Sequence, residues 1–308
     1  MEKIKFGLQN SWGQADYSAL KTIAAECDRL GFDSVWFYDH LQFPNYPVLE
    51  CWTVLSALAT ATQKVQIGSL VTCNFFRYPS LLAKMAATVD IISNGRLIFG
   101  IGAGFNESEA TAYGIPFPKA RPRNEMLDEA ISIVKRLWTE EEVDFKGKHY
   151  TLNKAVCAPK PVQKPHPPLW VGGKSEKVLM ITAKHADAWN GVFISPDELR
   201  QKIARLEQAC KEVNRDFQTL EITLMIRIII AENDTDALKK AEWWREERKG
   251  KQTDPQWKYA IVGSPETCSN VLRSYVDLGV THFNLLFEDA EKLNSLRIFA
   301  KEVLPEFQ

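Results

Sequence analysis

Residues 95–104 read Gly-Arg-Leu-Ile-Phe-Gly-Ile-Gly-Ala-Gly. Leu97 to Ile101 is an apolar run that reads as a buried strand, and Gly100, Gly102 and Gly104 alternate at its far end. The spacing is G-x-G-x-G. A dinucleotide fingerprint needs G-x-G-x-x-G opening a helix with an acidic residue downstream, so this stretch argues against a Rossmann domain. Glycines at alternate positions leave one strand face without side chains, and that face takes either a closely packed neighbour or a flat ring.

Outward from this strand the same unit recurs. Ile4 to Leu8, Ser34 to Tyr38 and Val65 to Val71 are apolar runs upstream, separated by helical patterns that include Leu20, Ile23, Ala24, Cys27 and Leu30 on one face, stopped by Gly31. Downstream, Ala112 to Pro168 breaks the alternation with a helix over Arg123 to Trp138, a hairpin-like VDFKGKHYTL and a proline-rich close. Strand-helix units then resume at Leu169 to Val171, Asp187 to Phe193, Leu220 to Ala231 and Thr281 to Phe287, with a last helix over Leu293 to Val303. Ser195-Pro196-Asp197-Glu198 has the N-cap, N1 and N3 residues of a helix start. A polar segment carrying Trp243, Trp244 and Trp257 follows the seventh strand; it reads as local packing or interface, with a substrate lid as the functional alternative. Eight units without a central linker predict an α/β fold, a single (β/α)8 TIM barrel over residues 1–308 with insertions after strands 4 and 7; two Rossmann-like domains are the alternative.

Composition narrows the partners. Thirty-eight Lys plus Arg against 39 Asp plus Glu give a formal charge of -1, without the basic surplus that nucleic acid or an anionic membrane surface requires. The longest apolar run, Ile222 to Ala231, is too short for a membrane span and is broken by Arg227. Six scattered cysteines contain no C-x-x-C, so neither zinc nor a disulfide framework is indicated, and no metal is expected. With no secretory pattern in Met1-Glu2-Lys3-Ile4, a cytoplasmic setting is expected.

In a barrel, chemistry sits at the C-terminal ends of the strands. The second strand runs into Asp39-His40, the third into Thr72 to Arg77, the fourth into Gly100 to Asn106 and the fifth into Gly172-Gly173-Lys174-Ser175. His40 at a strand terminus is a candidate acid/base or cofactor contact, set against a plain loop turn. Gly172-Gly173-Lys174-Ser175 enters a helix whose N-terminus suits phosphate, set against an ordinary glycine-rich turn. There is no H-x-H at the first strand, no H-E-x-x-H, no G-x-S-x-G elbow, no P-loop and no lysine inside a strand near its C-terminal end. A phosphate-bearing planar cofactor that carries the chemistry itself fits what remains.

With those residues assembled, the chain resembles the luciferase-like monooxygenase superfamily, in its branch of short oxidoreductases that use the deazaflavin coenzyme F420. The resemblance rests on DSVWFYDHL (Asp33 to Leu41), the long stretch Gln66 to Phe117, VCAPKPVQKPHPPLWVGG (Val156 to Gly173), ADAWNG (Ala186 to Gly191) and VGSPETC (Val262 to Cys268). It implies coenzyme F420, an 8-hydroxy-5-deazaflavin, lying in the barrel mouth, with FMN as the alternative. Asp39 and His40 then match the family's pair near the reactive face, Thr72 its ring contact, Ala103 and Gly104 its backbone contacts, and Gly172, Gly173 and Ser175 its phosphate loop. A non-proline cis peptide is implied within Ser69, Leu70 and Val71, and a homodimer at the level of the family.

One departure stands out. Related sugar-phosphate dehydrogenases carry a catalytic Glu after the last glycine of the fourth strand, and here that residue is Phe105. Their Trp after the Asp-His pair has no counterpart in Leu41-Gln42-Phe43-Pro44. Phe43, Phe75, Phe76 and Phe105 point to an apolar substrate. The expected function is hydride transfer between F420 and a small organic substrate, with His40 as the catalytic acid/base and Glu107 and Glu109 as its competitors. An FMN-dependent monooxygenase and a non-catalytic flavin-binding barrel are the alternatives.

Overall fold

The computed structural model describes residues 3–10, 15–43 and 46–308. Its strands follow the apolar runs: β1 (Lys5–Gln9), β2 (Ser34–Phe37), β3 (Gln66–Ser69), β4 (Thr72–Cys73), β5 (Leu97–Gly102), the hairpin β6 (Val143–Lys146) and β7 (Thr151–Ala155), then β8 (Leu169–Gly172), β9 (Ala188–Val192), β10 (Glu221–Ile230), β11 (Ile261–Gly263) and β12 (Val280–Phe287). The sheet runs β12-β1-β2-β3-β5-β8-β9, and β10 pairs with both β9 and β12, so the parallel sheet closes into a barrel. The third barrel strand is split. The Leu70–Val71 peptide is cis, and beyond it β4 rejoins the sheet against Ile101 and Gly102 of β5.

Helices α1 (Tyr17–Leu30), α2 (Cys51–Ala61), α3 (Pro79–Ile92), α4 (Glu107–Ala112), α5 (Ala120–Thr139), α6 (Glu176–His185), α7 (Pro196–Glu212), α8 (Asp234–Glu247), α9 (Pro255–Lys258), α10 (Pro265–Val276) and α11 (Asn294–Ile298) connect the strands. Their starts are chemically marked. Ser195 accepts from the Glu198 amide at 3.1 Å with Pro196 at N1, and Gly31 ends α1 in the left-handed region at φ 85°. Both insertions lie where the sequence places them: α4, α5 and the hairpin after β5, and α8, α9 and β11 after β10. The closing segment is shorter as an α-helix than its periodicity predicts, because α11 gives way to a π-helical stretch, Phe299–Val303. Among the described residues no helix is long and apolar enough to cross a membrane.

Two cores follow from strand alternation. On β10, Ile222, Leu224, Ile226, Ile228 and Ile230 join the core beneath the helices, while Met225 joins Trp36, Leu70, Ile98, Trp170, Ala188, Phe193 and Leu286 inside the barrel. Trp36 and Trp170 pack at 4.5 Å, with the buried His282 ring edge-on to Trp170 at 4.9 Å. This interior filling makes a floor, and the strand ends above it form the mouth.

Candidate active site

The mouth is organised by two charged contacts between strand ends. Asp39, the second residue after β2, is buried, and its carboxylate takes two hydrogen bonds from Arg77 at 2.7 and 2.9 Å and one from the Cys73 amide at 2.8 Å. Arg77 also pairs with Glu50, the N-cap of α2. Both Asp39 oxygens are thus engaged within the protein, tying the end of β2 to the segment after β4. Nothing in the sequence marked Arg77 as that partner; it was visible only as the last residue of the loop.

The neighbouring His40 is half-buried and turns its Nδ1 to Glu109 Oε2 at 2.9 Å. Glu109 lies on α4, whose N-cap is Asn106, and its other oxygen accepts from the Leu41 and Gln42 amides, the latter at 3.3 Å. Burial opposes ionisation of Glu109, but the hydrogen bonds from His40 and the two amides outweigh it and hold its carboxyl below the usual range. Glu107, the other carboxylate considered from sequence, is exposed. Around the imidazole stand aromatic rings: Phe43 at 4.5 Å, Phe105 at 5.6 Å and Tyr38 at 6.0 Å between centroids. Phe105 is 77% exposed, a large apolar side chain held at the mouth with no protein cover. Pro44 lies outside the described residues.

Ser69 and Thr72 are buried with their hydroxyls on each other, and Ser69 also reaches the Gly100 carbonyl at 3.0 Å. Leu70 and Val71 are the residues this segment gives to the barrel interior. The alternating glycines have a different use from the ring-facing one considered above. A Cβ on Gly100 would collide with the Ser69 carbonyl, and one on Gly102 would come within 2.8 Å of Val71. Gly100 and Gly102 therefore make room for the kinked third strand, which is the close-packing reading.

Ala103 and Gly104 follow directly at the end of β5 and are half-buried. Gly172 ends β8, Gly173 takes φ 137°, and Ser175 caps α6 by accepting from the Val178 amide at 3.4 Å. Lys174 stands beside them, paired with Glu198 at 3.2 Å. Across the mouth, the buried Arg227 of β10 donates to Glu288 at 2.6 Å and stacks on Trp257 at 3.8 Å, while Arg248 binds the other Glu288 oxygen at 2.9 Å. Trp257 is thus local packing for the insertion; Trp243 and Trp244 pack on each other at 4.6 Å.

Comparison with known proteins gives the chain its relatives. F420-dependent glucose-6-phosphate dehydrogenases from Kineococcus radiotolerans and Microbacterium testaceum are 27% and 26% identical, each over 99% of this chain and 97% and 98% of their own. An F420-dependent secondary alcohol dehydrogenase, solved with an F420-acetone adduct, superposes with a TM-score of 0.85 at 24% identity, covering 99% of both chains, a likeness of fold. The model of the luciferase-like monooxygenase family matches residues 4–282, and the chain belongs to that family.

Proposed function

We propose that the protein is a coenzyme F420-dependent oxidoreductase that moves a hydride between the deazaflavin and a small organic substrate. The observation that carries this reading is His40, an imidazole at the end of β2 with Nδ1 on a buried carboxylate and the rest of the ring among Phe43, Phe105 and Tyr38. The names of the two dehydrogenases and of the superposed alcohol dehydrogenase support F420 over FMN.

The residues present fit such a group. Gln9, the last residue of β1, and Asn190 of β9 leave buried amide oxygens without partners among the described residues, and the N–H edge of a bound ring supplies such a partner. A helix N-terminus beside Lys174 suits a phosphate. When bound, F420 supplies a two-electron hydride acceptor or donor. Gly172, Gly173 and Ser175 would hold its phosphate, Ala103, Gly104, Leu70 and Val71 would flank its ring, and Ser69, Thr72 and Asp39 fix the strand ends that would do so. Oxidation of an alcohol breaks a C–H and an O–H bond and forms a carbonyl; as the hydride leaves with its electron pair, His40 takes the hydroxyl proton, and reduction runs in reverse.

A cytoplasmic protein suits the six free, buried cysteines. A homodimer gives a use to the apolar residues Tyr78, Leu81, Ile91 and Ile92 that α3 and its N-cap leave exposed, and light scattering tests it.

The decisive experiment titrates the purified protein with F420 and with FMN while following tryptophan fluorescence, for which Trp36 and Trp170 are reporters. F420 is expected to bind at least about tenfold more tightly, a difference of about 1.4 kcal/mol. Equal or reversed affinities would assign the chain to FMN chemistry. Substrates are then found by screening secondary alcohols, enones, quinones and nitroaromatics with the coenzyme. His40→Gln is expected to keep coenzyme affinity and slow turnover by about 10²-fold or more.

A further inference from the structure

We infer that Glu109 is the positioning residue of His40, fixing the imidazole in the tautomer that carries its proton on Nδ1 and leaves Nε2 as the base. The inference rests on the reading of His40 as the proton carrier and adds a second residue, from helix α4, to that machinery.

Glu109 is buried, its side chain 1% exposed, and it accepts three hydrogen bonds: His40 Nδ1 on one oxygen, the Leu41 and Gln42 amides on the other. An ionised carboxylate can only accept, so His40 must present Nδ1–H to it. In the neutral ring the lone pair then lies on Nε2, for which no hydrogen bond to a described residue is seen. The two amides do more than stabilise the charge. They come from the residues directly after His40, so the same carboxylate sets the course of the chain beyond the imidazole. Of the other ionisable groups nearby, Asp39, Arg77 and Glu50 form one cluster, Tyr113 donates its hydroxyl to the Leu41 carbonyl at 2.9 Å, Glu107 is exposed to solvent, and burial pushes the Cys73 thiol up, so that it stays protonated. Glu109 is left as the carboxylate that compensates the imidazolium formed when Nε2 takes a proton.

The arrangement makes Glu109→Gln an informative change. The Leu41 and Gln42 amides require an oxygen, so the Gln carbonyl stays with them and its NH2 faces His40 Nδ1. That nitrogen then has to accept, the ring proton moves to Nε2, and the base is lost while the shape is kept.

The test has two readouts. Nitrogen-15 NMR of labelled histidine in the protein without coenzyme or substrate is expected to show His40 protonated on Nδ1 in the wild type and on Nε2 in Glu109→Gln. In turnover, Glu109→Gln is expected to lower kcat by about 10²-fold or more, with coenzyme affinity and KM within about threefold, and to displace the pH limb that His40→Gln abolishes. Glu109→Asp, which keeps an acceptor-only group, is expected to restore the wild-type tautomer and part of kcat. An Nε2–H tautomer in the wild type, or a Glu109→Gln variant with wild-type kcat and pH profile, would overturn the inference. The NMR result does not depend on which flavin binds, so a failure of the F420 reading is told apart from a failure of this one. If Glu109→Gln loses the fold, the wild-type tautomer and Glu109→Asp still decide it.

Discussion

Asp39 and Arg77 are joined by two hydrogen bonds of 2.7 and 2.9 Å, with the Asp39 side chain fully buried and that of Arg77 10% exposed. The pair bridges the end of β2 and the segment after β4, the two places whose residues flank the mouth. It holds His40, next in sequence to Asp39, against that wall. Arg77→Met would leave a buried carboxylate with only the Cys73 amide as donor, a loss of about 3 to 5 kcal/mol. The expected result is a clear fall in Tm together with weaker coenzyme binding. Arg77→Met with Asp39→Asn is expected to recover much of the stability, since the uncompensated charge is gone; calorimetry of the single and double variants checks this.

At the other side of the mouth the useful change is at Ser175 rather than Gly173. Gly173 sits at φ 137°, and a Cβ there meets Val178 at 3.0 Å, so any side chain strains the loop before it touches a ligand. Ser175→Asp keeps an N-cap acceptor and adds one negative charge at the helix N-terminus. Tm is expected to stay within a degree or two of wild type while affinity for the phosphate-bearing coenzyme falls by tenfold or more. Unchanged affinity in the titration would place the phosphate elsewhere.

Strand-helix alternation carried the barrel because apolar runs and cap residues are local: Ser195-Pro196 and Gly31 sit where the helices start and stop. His40 was legible by its place in the chain, directly after an apolar strand. Its partner was legible only as one of two nearby carboxylates, because choosing Glu109 over Glu107 depends on which way α4 turns, and the contact spans 69 residues. Gly100 and Gly102 were ambiguous for another reason. A flat ring and a kinked neighbouring strand ask for the same absence of side chains, and the Leu70–Val71 break that decides between them leaves no mark in the hydrophobic pattern.

Phe105 stands 77% exposed at 5.6 Å from His40, where it can cover an apolar substrate but has little fold to support. Phe105→Glu is therefore expected to leave the unfolding free energy within about 0.5 kcal/mol of wild type. Covering a ring-sized apolar group contributes about 1.5 to 3 kcal/mol, so KM for apolar substrates should rise tenfold or more while F420 affinity holds. Steady-state kinetics with a graded series of alcohols measures this. A KM that ignores the change would take Phe105 out of the substrate site.

The last prediction concerns the floor of the barrel. His282 is buried against Trp36 and Trp170, with Nε2 at 2.8 Å from Ser34 Oγ, and burial, helped by Lys5, lowers its pKa to about 3. Its unfolded value is about 6.5. Between those limits the unfolded chain binds a proton that the native barrel refuses, so stability must fall as pH drops from about 6.5 toward 3, and this loss stops growing once both states are protonated. From pH 7 to 5.5 the loss attributable to this residue is about 1.3 kcal/mol. The lowered carboxylates, Glu109 among them, act in the opposite titration range: their contribution is present above the unfolded carboxylate pKa of about 4 and is lost below it. Urea unfolding at pH 7 and 5.5 therefore stays clear of the carboxylates, and comparing wild type with a His282 variant separates this residue from the four other histidines. His282→Gln, which retains a partner for Ser34, is expected to be less stable than wild type at pH 7 and to lose about 1 kcal/mol less on going to pH 5.5. Equal pH slopes for the two proteins would mean that His282 takes up its proton inside the folded barrel.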